Sequence, residues 1–233
     1  MADEGEAVAC VEPSKDQKRI DTASADATVL FDSKSVNSVT DCLAEAARAF
    51  IEVPEPVDLS PILKQALADG GICYSLTTAT AHPLPLAQIV TDAIARIWPG
   101  VALPVDDLAT VLNEAFANAL LHGNLGVAAA DARDPKALKA FYDAVTERLR
   151  DPSFANRRLG IAITLRDATL TIDVEDDGKG FDIEAARKKR DAGPDAFCGR
   201  GLAIMESFAE NIIVHPPGNR ISITFRLPPA SSS

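Results

Sequence analysis

Hydrophobic residues in the second half of the chain recur at spacings that predict alternating helices and strands. Apolar positions between residues 106 and 122 follow the three- and four-residue spacing of one buried helix face. Residues 169–175 instead alternate between apolar and polar, as in a half-buried strand. The same analysis predicts helices at 84–97, 106–122, 135–150 and 201–209, and strands at 72–80, 159–166, 169–175, 211–215 and 220–227. These elements predict an α/β fold of two layers.

The N-terminal part of the chain has a different pattern. Residues 1–26 are rich in Ala, Asp, Glu, Ser and Lys, a composition that predicts a disordered tail. Residues 27–68 predict a strand over 27–31, a helix over 38–51 and a second helix at the end of the segment. We expect this small unit to be a regulatory or dimerisation element that precedes a larger domain at 69–230.

Polar residues form a stripe on the helix predicted at 106–122. Glu114, Asn118 and His122 follow one another at four-residue intervals, so they share one face. A carboxylate such as Glu114 can accept a proton from an attacking hydroxyl, and the amide oxygen of Asn118 can bind Mg²⁺. Taken alone, the stripe is more typical of the wet face of an amphipathic helix, and only the motifs that follow favour a site.

A second motif follows the strand predicted at 169–175. The strand leads directly into Asp176, Gly178 and Gly180, and the two glycines permit close backbone approach. The carboxylate of Asp176 can accept a hydrogen bond from an exocyclic amine such as that of adenine, a contact that guanine's carbonyl does not supply. An Asp-Gly hairpin turn is the alternative. It is disfavoured because the residues after Phe181 form a charged, helix-like stretch.

A third motif, Gly199–Arg200–Gly201, precedes the helix predicted at 201–209. A glycine turn that opens a helix places free N–H groups and the positive end of the helix dipole where a phosphate can bind. A flexible loop that ends at a helix would give the same residues without any function. The intervening segment 183–198 carries a basic run and predicts a mobile lid over phosphates, although such a run is also typical of a solvated face.

With these three motifs in this order, the chain resembles the GHKL ATPase superfamily, which includes gyrase-type, chaperone-type and histidine-kinase ATP domains. It is most similar to the branch of anti-sigma-factor serine kinases. The resemblance implies a two-layer sandwich with helices on one face of a mixed, mostly antiparallel sheet. It also implies that Glu114 is the catalytic base, Asn118 the Mg²⁺ ligand, Asp176 the adenine acceptor, and Gly199 and Gly201 the glycines at the phosphates.

The resemblance covers about residues 70–228 and extends the expected nucleotide site. The further residues expected to contact ATP are His122, Gly178, Gly180, Phe181, Arg200, Leu202 and Asn219. Asn219 follows Gly218 where many relatives have Gly-Thr, so the contact to the nucleotide differs in reach. A second departure is an insertion at 125–157, which we expect to dock a partner or to pack on the sheet.

A weaker resemblance concerns the N-terminal element. The run at 46–67 is similar to the closing part of a response-regulator receiver domain, but Val53 stands where the lysine before proline is expected. No phosphoacceptor aspartate can be assigned from it.

Composition narrows the class of partner. The formal net charge of −11 disfavours nucleic acid, because phosphate-binding surfaces are usually basic. The four cysteines are scattered without the spacing of a zinc site or a disulfide framework. No apolar run reaches the ~18 residues of a membrane span, and the acidic N-terminus is unlike a signal peptide. We therefore expect a cytoplasmic protein that binds another protein.

The resemblance implies a serine/threonine protein kinase that uses ATP and Mg²⁺. Its expected partners are an anti-anti-sigma antagonist, which it phosphorylates, a sigma factor, which it sequesters, or both; a second copy of the chain is also expected, since such relatives tend to dimerise. A module that binds ATP and sequesters its partner without phosphate transfer is the alternative. A stand-alone ATPase or chaperone-like clamp is the third class. A histidine kinase is disfavoured because His82, His122 and His215 do not lie on a dimerisation hairpin.

Overall fold

A computed structural model describes residues 28–34, 38–43, 47–53, 59–131, 133–181 and 200–228. The predicted tail at 1–26, the predicted lid at 183–198 and Gly199 lie outside the described residues.

The described strands form one seven-stranded sheet in the order β1-β2-β3-β4-β5-β7-β6. The strands β1, β2 and β3 are parallel, and the remaining neighbours are antiparallel. Their bounds are Thr28–Asp32 (β1), Ala49–Val53 (β2), Ile72–Thr77 (β3), Arg158–Arg166 (β4), Thr169–Asp176 (β5), Asn211–His215 (β6) and Arg220–Arg226 (β7). The fold-class prediction of a mixed, mostly antiparallel sheet with helices is confirmed.

The helices are short to medium in length. Their bounds are Val39–Leu43 (α1), Pro61–Ala68 (α2), Thr78–Ala81 (α3), Leu86–Ile97 (α4), Val105–Ala117 (α5), Pro135–Arg150 (α6), Pro152–Ala155 (α7) and Arg200–Phe208 (α8). A π-helical segment, Asn118–Asn124, continues α5 without a break. Among the described helices, none is long and apolar enough to span a bilayer.

Helices cover the two faces of the sheet unequally. On one face α4, α5 and α8 bury the main hydrophobic core, which includes Phe50, Tyr74 and Ile161. On the other face α2 packs its apolar side on alternate residues of β2, β3 and β4 and forms a smaller cluster. The alternation along β2 explains the division, because Phe50 points into the main core and Ile51 into the smaller one. The sequence predicted helices on one face of the sheet, and in the structure α2 covers part of the other face as well.

The N-terminal prediction needs one correction. The helix predicted over 38–51 is wrong at its end, because residues 49–53 form β2. All five of these residues are buried, and a strand buried on both faces gives no alternating signal that would distinguish it from a helix. β2 pairs with β3, so the predicted boundary after residue 68 lies within a continuous sheet. The regulatory or dimerisation role of the segment stays a prediction.

The strand predicted at 72–80 ends early, at Thr77. Thr77 is the N-cap of the short helix α3, and the buried carboxylate of Glu52 accepts hydrogen bonds from the Thr77 backbone N–H (2.6 Å) and from the Thr80 hydroxyl (2.6 Å). A side-chain acceptor satisfies donors that the first turn of a helix leaves unpaired. β2 therefore supports the turn that follows β3.

The insertion packs on the helix that precedes it. Its long helix α6 has the predicted bounds of 135–150, with Asp134 as the N-cap and proline at the first position. Val145 of α6 joins Leu125 and Val127 in a separate apolar cluster against the end of the π-helical segment. The insertion thus contacts the helix that carries Glu114 and Asn118.

Replacing Phe50 with alanine is expected to lower the free energy of unfolding by about 3–5 kcal/mol. Phe50 is fully buried, and its ring stacks on Tyr74 with centroids 5.0 Å apart. Urea denaturation followed by circular dichroism should show one transition, shifted as a whole, because β2 and β3 share a sheet. Phe50→Leu, the control, should shift it less. Two transitions, of which only one moves, would mean that the N-terminal strands unfold as a separate unit.

Candidate functional site

Glu114 and Asn118 lie one turn apart and face the start of α8. A Cβ atom built on Gly201 would lie 2.6 Å from Glu114 Oε2 and 3.4 Å from Asn118 Nδ2. A side chain at this position would have to displace the Glu114 carboxylate, whereas the distance to Asn118 is an ordinary van der Waals contact. Since the first turn of a helix has unpaired N–H groups and the positive end of the dipole, the carboxylate and the amide lie beside a position that favours anions.

The π-helical segment changes the predicted polar stripe. The N–H of Leu125 donates to the carbonyl of Leu120 at 2.8 Å, a five-residue step in place of four. His122 is exposed, and its Nδ1 lies 2.6 Å from the carbonyl oxygen of Val127. The helix predicted at 106–122 is therefore not α-helical throughout, and the His122 side chain contacts the chain that enters the insertion. A contact between His122 and ATP stays a prediction.

Asp176 lies against the other end of the same helix. A Cβ atom built on Gly123 would collide with the Asp176 carboxylate, and one built on Gly178 would collide with both the carbonyl of Gly123 and that carboxylate. The backbone N–H of Gly178 donates to Asp176 Oδ1 at 2.7 Å. Two glycines thus make room for one carboxylate between the end of β5 and the end of the π-helical segment.

The turn before β7 is hydrogen-bonded to the loop that begins at Asp176. Asp176 N–H donates to the carbonyl of Asn219, and Asn219 Nδ2 donates to the carbonyl of Asp176, both at 2.9 Å. Gly180 and Gly218 both have positive φ, of 74° and 105°, and each lies in backbone contact with the facing loop. In this structure the side chain of Asn219 positions the backbone of Asp176.

The environment of Asp176 alters its acidity. The pKa of Asp176 is raised to about 6: burial is the main cause and the nearby Asp177 adds to it, while the Gly178 hydrogen bond and Arg157 act in the opposite direction. A carboxylate that is partly desolvated is a stronger hydrogen-bond acceptor for a ligand that replaces the lost water. The role of Asp176 as the adenine acceptor stays a prediction.

The remaining predicted site residues are more scattered. Arg200 is exposed in the first turn of α8. Leu202 is buried in the main core, where it supports the start of α8 from below. Phe181 is the last described residue before the predicted lid and is exposed.

Residues that the sequence analysis did not single out complete the site. Gly123 and Asn124 end the π-helical segment, and Arg157 and Arg158 lead from the insertion into β4. Glycine inside a helix costs roughly 1 kcal/mol relative to alanine, so Gly123 in a helical pattern is a signal of close approach that the sequence does contain. No comparable local signal distinguishes Asn124.

The arrangement separates two kinds of binding chemistry along one helix. Gly123, beside Asp176, and Glu114, beside α8, are nine residues apart, which corresponds to about 13 Å of helix. At one end of the helix, the Asp176 carboxylate can accept a hydrogen bond from a nucleobase. At the other end, Glu114 and Asn118 lie beside the start of α8, which favours phosphates. An elongated ligand with a heterocycle at one end and anionic groups at the other fits this order.

Comparison with known proteins agrees with the geometry. A family model described as a histidine kinase-like ATPase domain matches residues 77–225, well over half of the chain. A search of curated proteins found no match.

Replacing Asp176 with asparagine is expected to raise stability at pH 8 while weakening ATP binding. Because the folded-state pKa of about 6 exceeds the unfolded value, ionisation destabilises the fold; this cost is absent below about pH 3, grows between the two pKa values and is complete above the folded one. We expect the variant to gain about 1 kcal/mol at pH 8, with screening included, and nothing at about pH 3. Urea denaturation at both pH values measures this, and calorimetric titration measures ATP binding. A variant that is less stable at every pH would contradict the cause given for the raised pKa.

Replacing Gly123 with alanine is expected to weaken ATP binding at least tenfold. The added methyl group would occupy the position of the Asp176 carboxylate and displace it. Gly100→Ala is the matched control, since a Cβ atom there meets nothing within 4 Å. Calorimetric titration of both variants with ATP measures the two affinities. Equal ATP affinity in the two would mean that the position of the Asp176 carboxylate does not govern binding.

Proposed function

The chain belongs to the histidine kinase-like ATPase domain family, whose members bind ATP, and we propose that it is an ATP-dependent serine/threonine protein kinase of the anti-sigma-factor type. The proposed substrate is a hydroxyl group on an anti-anti-sigma antagonist, and a sigma factor is a second proposed partner. The observation that carries the proposal is the contact of Glu114 with the start of α8. It gives a carboxylate access to the end of the site that favours phosphates.

Glu114 is the proposed general base. Phosphoryl transfer depends mainly on positioning and on electrostatic stabilisation, so the protein has to orient the attacking hydroxyl and accept its proton. In our proposal Glu114 accepts this proton as the hydroxyl oxygen forms its bond to the γ-phosphorus and the bond to the β-phosphate oxygen breaks. Arg200 and the N–H groups of α8 stabilise the charge on the transferred group.

Asn118 is the residue proposed to hold Mg²⁺. Among the described residues, no group of three or more His, Cys, Asp or Glu side chains could hold a metal ion. An ion that keeps several waters and binds phosphate oxygens needs only one or two protein ligands, and an amide oxygen beside α8 fits this requirement. When bound, Mg²⁺ would neutralise charge on the phosphates.

Adenine is proposed to bind at Asp176. The carboxylate accepts a hydrogen bond from the exocyclic amine, with Gly178 holding the other carboxylate oxygen. Gly180, Phe181 and Asn219 border this end of the site.

The acidic composition supports a protein partner in preference to nucleic acid. A cytoplasmic location is part of the same proposal. The alternative function is a module that binds ATP and sequesters its partner without transferring phosphate; in that module Glu114 would be dispensable for capture of the partner.

Glu114→Gln is expected to abolish phosphate transfer while ATP affinity stays within about threefold of the parent protein, because glutamine keeps the shape but accepts no proton. The purified protein is incubated with Mg²⁺, γ-labelled ATP and a lysate of the cells that produce it, and acid-stable labelled protein is detected. Glu147→Gln, the same change on the exposed surface of α6, is the control and should label normally.

Three outcomes separate the functions. A labelled band that Glu114→Gln loses supports the kinase and identifies its substrate. A band that survives removes Glu114 from the role of base. Normal ATP binding without any band favours the sequestering module.

A further inference from the structure

We propose that Asn124 is a positioning residue that sets the selectivity of the site for adenine, by fixing the loop that carries Asp176 to the end of the π-helical segment. The inference rests on the proposed binding of adenine at Asp176, but it does not depend on phosphate transfer. Asn124 itself has no contact with the nucleotide in this proposal.

Asn124 joins three elements through hydrogen bonds. Its side chain is completely buried, and its Oδ1 accepts a hydrogen bond from the backbone N–H of Asp177 at 2.8 Å. Its Nδ2 donates to the backbone carbonyl of Arg158 at 3.0 Å. The circuit closes through the Asp177 carboxylate, which accepts from the Arg158 N–H at 2.6 Å. One side chain therefore ties the helix end to the start of β4 and to the residue after Asp176.

The insertion fixes the backbone of Asn124 as well. Arg157 Nη1 donates to the carbonyl of Asn124 at 2.6 Å, and Arg148 donates to the carbonyl of the next residue, Leu125. Both guanidinium groups lie over the ring of Phe154, at 4.5 Å and 4.9 Å from its centroid. The insertion thus caps the last carbonyls of the helix, as cationic side chains do at helix C-termini.

The position of Asp176 depends on these contacts from both sides. Gly123 contacts the Asp176 carboxylate, and the adjacent Asn124 accepts a hydrogen bond from the N–H of Asp177. The two consecutive contacts leave the loop little freedom to move relative to the helix. A hydrogen bond to an exocyclic amine requires the acceptor within a few tenths of an ångström, so a loop that shifts loses the amine contact first.

Asparagine is the residue type that this position requires. It must accept a hydrogen bond from one backbone group and donate one to another at the same time, and a carboxylate of equal size can only accept. Alanine would leave the Asp177 N–H and the Arg158 carbonyl without the fully buried Asn124 side chain as their partner. Both substitutions are therefore expected to release the loop.

Selectivity for ATP over inosine triphosphate tests the proposal. Inosine triphosphate has the same phosphates and ribose but carries a carbonyl in place of the exocyclic amine. Calorimetric titration with each nucleotide gives the ratio of the two affinities in the parent protein, Asn124→Ala, Asn124→Asp and Asp176→Asn. We expect a preference for ATP in the parent protein and at least a tenfold fall in the ratio in all three variants.

Two controls separate positioning from loss of stability. Phe50→Leu weakens the core at a residue of β2 whose side chain packs on Tyr74 and not on this loop, and Asn211→Ala removes an exposed asparagine from β6; both should keep the ratio of the parent protein. If Asn124→Ala does not fold, Asn124→Asp carries the same expectation.

The outcomes for Asn124 and for adenine binding are distinct. A ratio that falls in Asp176→Asn but not in the Asn124 variants overturns the positioning role and leaves adenine binding at Asp176 intact. A parent protein without any preference for ATP overturns the premise and the inference together. A ratio that falls in Phe50→Leu as well would assign the effect to general stability and overturn the proposal.

Discussion

A carboxylate held between the end of a strand and the end of a helix is the constraint on which the rest of the site depends. Asp176 ends β5, and Gly123 and Gly178 leave just enough space for its side chain. Desolvating a carboxylate is unfavourable unless hydrogen bonds compensate for the lost water, and the Gly178 N–H donates one to Asp176 Oδ1. The backbone of the loop is held by Asn219 Nδ2, which donates to the Asp176 carbonyl, and by Asn124 Oδ1, which accepts from the Asp177 N–H.

The sheet extends this support to parts of the chain that lie far from the site in sequence. Arg158 is an example. Its backbone N–H donates to the Asp177 carboxylate, and its guanidinium donates to the carbonyls of Ser75 and Glu52. Glu52 belongs to β2, and its own carboxylate accepts from the first turn of α3. The N-terminal strands therefore contribute polar contacts to the scaffold of the site in addition to an apolar layer.

Most of the fold was predictable from sequence because its periodicity and its capping residues agree. The helix α6 has its predicted bounds, since Asp134 and Pro135 mark its start. β2 was not predictable, because burial on both faces removed the alternation that identifies a strand. The π-helical segment was missed because seven residues are too few to separate its period from that of an α-helix.

The candidate site was likewise predictable only in part from the sequence. Motif residues such as Glu114 and Asp176 were predicted from local chemistry and from spacing, whereas Asn124 has its contacts in β4 and in the loop after β5. The role of Asn124 can be recognised only once the fold brings these distant segments together. The neighbouring residues in the sequence carry no pattern that indicates it.

The π-helical segment also sets the register between the two ends of the site. Each residue of an α-helix turns the chain by about 100°, so deleting one residue between Asn118 and Gly123 would rotate everything that follows. Glu114 and Asn118 would keep their orientation towards α8, while Gly123 and Asn124 would turn away from β5. The two halves of the nucleotide site are thus aligned by the length of one seven-residue segment.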